Sequence, residues 1–203
     1  MTLEPALSRL EMPVPDSAFA RAARERVTDE EPAFLLNHSI RAYAWAVELA
    51  RHDGLAFDAE ILYVAALWHD VGLVPKYDLG GCFELDGAIA AERFALDAGQ
   101  PPERARGIKD AIALHMIEEL PPEPAAEVVL LWDSTGVDVT GFRYEDVRPE
   151  IVPPVLGAYP RLDFKREFGR LFAEQATAKP RCRVAEMVRT GKLAAIEAAP
   201  FDS

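Results

Sequence analysis

The segment ALWHDVG, residues 66–72, sets a His-Asp doublet at the end of an apolar run. Residues 59–70 read as a helix with Leu62, Ala65, Ala66 and His69 on one stripe, Asp58 as its cap and a stop at Gly72, followed by Pro75. A carboxylate beside Leu67, Val71 and Leu73 is costly to bury bare, and a cation removes that cost. Neighbouring side chains on a helix point about 100° apart. At a helix end, however, His69 and Asp70 can converge on one ion. Imidazole and carboxylate are ligands for zinc, manganese or ferrous iron.

Upstream, residues 33–52 place Phe34, Leu35, His38, Ala42, Trp45, Ala46 and Leu49 on one helical stripe, with Gly54 as a stop. Thr28 and Glu31 have the spacing of a capping box ahead of it. Downstream, 84–98 reads as a helix ending at Gly99, and Pro101–Pro102 opens another that reaches about Met116. A shorter helix is expected at 125–133, ending before Gly136. The 136–160 stretch is mixed, because Pro149, Pro153, Pro154 and Pro160 cut any element short. Residues 162–178 are amphipathic, with Phe164, Phe168, Leu171 and Phe172 on one face, and a last helix near 181–190 precedes a loose tail. No repeat or long linker divides the chain, so one compact all-α domain spanning 1–203 is expected.

The chain holds 203 residues, half of them hydrophobic and 28% charged, enough to bury a core without staples. A net charge of −12 excludes general attraction to nucleic acid or to an anionic membrane surface. No apolar run approaches the ~18 residues of a membrane span. The opening residues, MTLEPALSRLEMPVPDSAF, lack the basic and apolar regions of a signal peptide. Two cysteines, Cys82 and Cys182, exclude a disulfide framework and a Cys-rich zinc site and fit a reducing compartment. A cytoplasmic domain with a small-molecule substrate is expected, with homo-oligomerisation left open.

Several segments, taken in order, carry a resemblance: NHSIRAYAWA, WHDVGL, FELDGAIAAERF, AIALHM and PRLDFKREF…KPR, across about 32–182. In these the chain resembles the HD-domain superfamily of metal-dependent phosphohydrolases, most of all its cyanamide-hydratase-like branch. The family motif is a His, a His-Asp doublet on a later helix and a distant Asp. It implies His38, His69 and Asp70 as metal ligands, with the last ligand in LLWDSTGVDVTG being Asp138, or else Asp133. Members with two metals carry further histidines. Phe83 or Glu84 falls near one of those places and His115 answers to the other, which implies one metal rather than two.

Around that ion the candidates for proton transfer or substrate contact are His115, Lys76 and Glu84, with Asp86 beside them. Each also has a structural reading: a helix-end histidine, a solvated loop lysine, and carboxylates favoured at a helix N-terminus. His52, at a helix C-terminus, reads as structural. Arg41, three residues past His38, is expected to pair with Asp70 or Asp138, and Trp45, Trp68 and Trp132 to pack the core. No Ser or Cys has the partners of a nucleophile. The resemblance implies a mononuclear enzyme adding an activated water to a nitrile carbon or a phosphorus. Zinc is the expected ion, with iron, manganese or nickel as alternatives, because hydration needs no redox change. The competing reading is a non-catalytic metal-binding or ligand-sensing domain on the same scaffold.

Overall fold

In a computed structural model, which describes residues 3–202, the long helix α3 (Ala33–Asp53) runs through the middle of the molecule. It is buried nearly all round from Phe34 to Ala50, and its buried charges are paired, Arg41 with Asp138 and Glu48 with Arg148. It stops at Gly54, whose φ of 69° is open to a residue without a side chain; Leu55 N–H then closes on Ala50 O at 2.9 Å. Before it lie α1 (Pro5–Arg9) and α2 (Ala18–Glu30). After it come α4 (Ala59–Trp68), α5 (Phe83–Asp97), α6 (Pro102–Leu114) and α7 (Ala126–Thr140). The chain closes with α8 (Val152–Ala158), α9 (Phe164–Ala178), α10 (Arg183–Arg189) and α11 (Ala194–Ala198). Among the described residues there is no strand, and the fold is all-α.

Helices α4, α7 and α9 pack on α3, while α5 and α6 pair and lean on α4. The main core runs from Leu7 through Trp45 and Trp68 to Phe201. A smaller cluster gathers Phe34, Leu35, Phe83, Phe164, Phe168 and Phe172. Asp58 caps α4 through Glu60 N and Ile61 N, both at 3.0 Å.

Four expectations are corrected. Thr28 and Glu31 do not form a capping box, because they end α2: Thr28 Oγ1 donates to Arg24 O and Glu31 N–H to Val27 O. Helix α7 does not stop before Gly136 but runs on to Thr140. A Cβ at Gly136 would lie 3.2 Å from Phe142 Cδ1, so the glycine gives that ring room instead of ending the helix. The tail is not loose, since Ile196 and Phe201 are buried and Phe201 stacks on Trp45. Finally, Cys82 and Cys182 form a disulfide, with Cα atoms 5.4 Å apart. They begin α5 and α10, which the topology returns to the same place, so separation in sequence said nothing about separation in space. Cysteine usage therefore no longer argues for a reducing compartment. The outermost residues of the 1–203 span, Met1, Thr2 and Ser203, lie outside the described residues.

Candidate metal centre

Four helices bring their ends or faces to one point. Helix α3 supplies His38, and the C-terminal end of α4 supplies His69 and Asp70. His115 follows the last turn of α6, and α7 supplies Asp138. His38 Nε2 lies 3.1 Å from His69 Nε2, and Asp70 Oδ2 lies 3.5 Å from the first and 3.2 Å from the second. All three side chains are buried.

The other ring nitrogens decide what these atoms are. His38 Nδ1 donates to Asp138 Oδ2 at 2.8 Å, His69 Nδ1 to Ala66 O at 2.7 Å and His115 Nδ1 to Ile112 O at 2.6 Å. Each partner only accepts, so each Nδ1 holds the proton and each neutral ring presents a lone pair at Nε2. Two lone pairs facing at 3.1 Å, beside a buried Asp70 Oδ2 with no hydrogen-bond partner, form a donor set without a positive centre. A divalent cation fits it: two imidazole nitrogens and a carboxylate oxygen, each imidazole oriented by an acceptor behind it.

The electrostatics agree with that reading at His38 and His115, whereas at His69 the neighbouring Asp70 favours the protonated ring. Burial lowers the pKa of His38 despite Asp138, and burial takes that of His115 down to about 4, so both are neutral lone-pair donors near pH 7. Burial works against charge on His69 too, but Asp70 outweighs it and raises the pKa. Burial likewise opposes ionisation of Asp70, yet His69 beside it holds the carboxyl down at about 2.

Asp138 is not brought to the lone pairs. Its Oδ1 accepts from Arg41 Nε and Trp45 Nε1, both at 2.8 Å, and its Oδ2 from Arg41 Nη2 at 2.7 Å as well as from His38. Arg161 Nη1 adds a contact at 3.3 Å. With both oxygens engaged, Asp138 stands behind His38 and outside the His38–His69–Asp70 group, where a direct ligand was expected. Burial opposes its ionisation, but the Arg41 guanidinium holds it well below the usual carboxylate range. Asp133 is no substitute, since it pairs with Arg143 at 2.6 Å in a network shared with Asp53 and Asp146.

Of the expected proton carriers, only His115 is near the ligands, with its Nε2 3.8 Å from Asp70 Oδ1. Lys76 is exposed and paired with Glu30, beside a separate surface depression lined by Trp68, Tyr77 and Phe94. A loop position told nothing of where its side chain points. Glu84 is buried in the first turn of α5 with Oε2 unpartnered, and burial raises its pKa; it does not line the cavity described below. Asp86 is structural, accepting from Leu79 N at 2.8 Å and Gly81 N at 3.0 Å. His52 pairs with Asp53 at 2.9 Å on the surface.

His38, His69, Asp70 and His115 form the floor of a cavity of about 420 Å³. Its walls carry Met116, Trp132, Val139, Phe168, Phe172 and Met187. At its rim Arg183 and Lys192 share the carboxylate of Glu118, at 3.6 and 3.5 Å. The sequence reading placed Trp132 in the core and the α9 phenylalanines on one face of an amphipathic helix. A helical stripe signals burial, but does not tell a cavity wall from a packed interior.

Residues 35–137 match the family model described as HD domain, half of the chain, and the match includes His38, His69 and Asp70. The chain is also 27% identical over 177 residues to the cyanamide hydratases DDI2 and DDI3 of Saccharomyces cerevisiae. Each alignment covers 85% of this chain and 79% of the yeast protein. With a buried His-His-Asp cluster that could hold a metal ion, the chain belongs to the HD-domain family, on its cyanamide-hydratase-like branch and among its metal-dependent hydrolases and hydro-lyases.

Proposed function

We propose that the protein is a mononuclear hydratase that adds water across the C≡N bond of a nitrile or cyanamide-type small molecule. What carries the reading is the distribution of charge around the cavity. Its floor is a metal donor set, its walls are apolar, and no cation lines the floor to receive a phosphate. Arg41 and Arg161 pair with Asp138 behind His38, and Arg183 and Lys192 stand at the rim beside Glu118, Arg183 also pairing with Glu186. A phosphoester at the floor would find its nearest cavity cations, Arg183 and Lys192, only at the rim. A nitrile asks only for an activated water and a proton carrier. The whole chain, 1–203, is read as one working domain, since α9 and α10 wall the cavity.

His38 Nε2, His69 Nε2 and Asp70 would hold one zinc ion, chosen over redox metals because hydration changes no oxidation state. When bound, the ion supplies Lewis acidity and lowers the pKa of a water from 15.7 toward about 7. His115, neutral and with its Nδ1 proton tied to Ile112 O, has Nε2 free to take a proton from the attacking water and return it to the nitrile nitrogen. The water oxygen bonds to carbon, both hydrogens end on nitrogen, and the product is an amide, or urea from cyanamide. Thr135 lines the same cavity, its hydroxyl donating to Trp132 O at 3.1 Å. Among the described residues no helix is long and apolar enough to cross a membrane.

The test pairs metal analysis with urea release from cyanamide. The zinc-loaded protein is expected to form urea. His69→Ala and Asp70→Ala should each lose both zinc and turnover while keeping a helical circular dichroism spectrum. His115→Ala should keep about one equivalent of zinc and lose ~10²–10⁴-fold in kcat, the range for a proton carrier. Loss of zinc from His115→Ala would make that residue a ligand, and phosphodiester turnover without urea formation would refute the hydratase reading.

A further inference from the structure

The cavity over the ligands is far larger than cyanamide requires. Sites that enclose drug-sized ligands span about 300–1,000 Å³, and this one holds about 420 Å³. N≡C–NH₂ on the floor would leave most of it to water lying against rings and thioethers that offer few hydrogen bonds. Such a volume gains most from an apolar occupant.

The wall chemistry narrows the occupant further. The polar donors His38, His69, Asp70 and His115 are gathered at the floor, and above them stand Trp132, Phe168, Phe172, Met116 and Met187. Aromatic faces favour a flat ring, and the two unbranched thioethers adapt to its outline. Phe168, Phe172 and Met187 belong to α9 and α10, beyond the 35–137 segment that matches the family model. The Cys82–Cys182 bridge ties the start of α10 to the start of α5. The bridge therefore fastens this wall beside the metal floor.

Resting on the hydratase reading, we infer that the substrate is an aryl or arylalkyl nitrile: its C≡N group lies at the floor and its ring lies between the α7 and α9–α10 walls. The reaction is the same hydration, and the product is the corresponding carboxamide. Removing a phenyl-sized body from water strengthens binding by on the order of 100-fold.

The zinc-loaded full chain is compared on phenylacetonitrile and cyanamide by amide and urea release, and phenylacetonitrile binding is measured separately by calorimetry. The expected result is a KM for phenylacetonitrile on the order of 100-fold below that for cyanamide. Met187→Trp, which fills the outer wall, should lower the ratio of kcat/KM for phenylacetonitrile over cyanamide at least ~10-fold and weaken binding in parallel. Met116→Phe serves as a second filling variant should Met187→Trp not fold, and Met187→Leu should restore the ratio. Cyanamide turnover with no binding or turnover of phenylacetonitrile would overturn this inference and leave the hydratase reading standing. Binding of phenylacetonitrile that Met187→Trp abolishes, without turnover of either compound, would uphold the ring site and refute the hydratase reading. Absence of both binding and turnover would refute both.

Discussion

Asp138 organises the centre without facing its lone pairs. Its carboxylate joins His38, Arg41, Trp45 and Arg161, all buried, so two guanidiniums depend on it for charge balance. An asparagine in its place removes that charge and offers one acceptor oxygen where two were in use. We expect Asp138→Asn to destabilise the fold by about 3–5 kcal/mol, the usual cost of breaking a buried ion pair. Zinc affinity should fall by about 10–100-fold, as for groups that orient a ligand, against outright loss in His69→Ala. Thermal melting and chelator competition measure the two effects separately. Loss of zinc from Asp138→Asn as complete as from His69→Ala would return Asp138 to the ligands. The doublet and the His38 stripe were legible because burying a carboxylate next to leucines is a signal in itself. The motif names Asp138 but not which ring nitrogen of His38 faces the carboxylate, so the pairing with His38 Nδ1 was not legible. Glu31 was also missed, since its spacing imitates a cap. Both its oxygens are buried without partners, and burial raises its pKa well above the usual value.

The turn after α4 decides where Asp70 points. Val71–Leu73 forms a single 3₁₀ turn pressed on α5, and a Cβ at Gly72 would lie 2.0 Å from the carbonyl oxygen of Phe83. That neighbour is backbone and cannot turn aside. Gly72→Ala must therefore move either the turn or the start of α5, and an expected loss of about 3 kcal/mol lies at the upper end for overpacking. Zinc binding should weaken with it, because Asp70 is two residues away. Gly157→Ala is the control: its Cβ meets nothing within 4 Å in α8, so the propensity gain of about 1 kcal/mol is all that should register. Equal melting temperatures for the two variants would show that the turn has room the packing denies. The site helices themselves were readable: 33–52 against Ala33–Asp53, and 59–70 against Ala59–Trp68 with the doublet just beyond. Helix α2 escaped notice because its buried face, Phe19, Ala20, Ala23 and Val27, rests largely on small side chains. Helix α7 was cut short because a glycine reads as a stop unless the ring it makes room for is known.

At the scale of the whole molecule, the bridge between Cys82 and Cys182 closes a loop of about a hundred residues that contains α5 to α9. All-α periodicity and a single domain could be read from hydropathy alone, whereas this closure depends on the path of the chain, which no local pattern encodes. In the chain-entropy view a loop of that size limits the unfolded ensemble by about 4.7 kcal/mol. Only α10 and the α9 wall packed on it are fastened directly. His38, His69 and Asp70 are held from α3 and the end of α4, which precede Cys82 and so lie outside the closed loop in sequence. Stability and zinc affinity should therefore part company in the Cys82→Ser/Cys182→Ser variant. Its melting temperature should drop by about 10 °C, from a loss near 3–5 kcal/mol at ~2–4 °C per kcal/mol for a chain of this size. Chelator competition should find zinc held as in the parent protein. Reductant should bring the parent down to the variant and leave the variant unmoved. Two free thiols in the untreated parent, with melting indifferent to reductant, would show that the pair is close but open, and that packing of α9 and α10 alone keeps the wall in place.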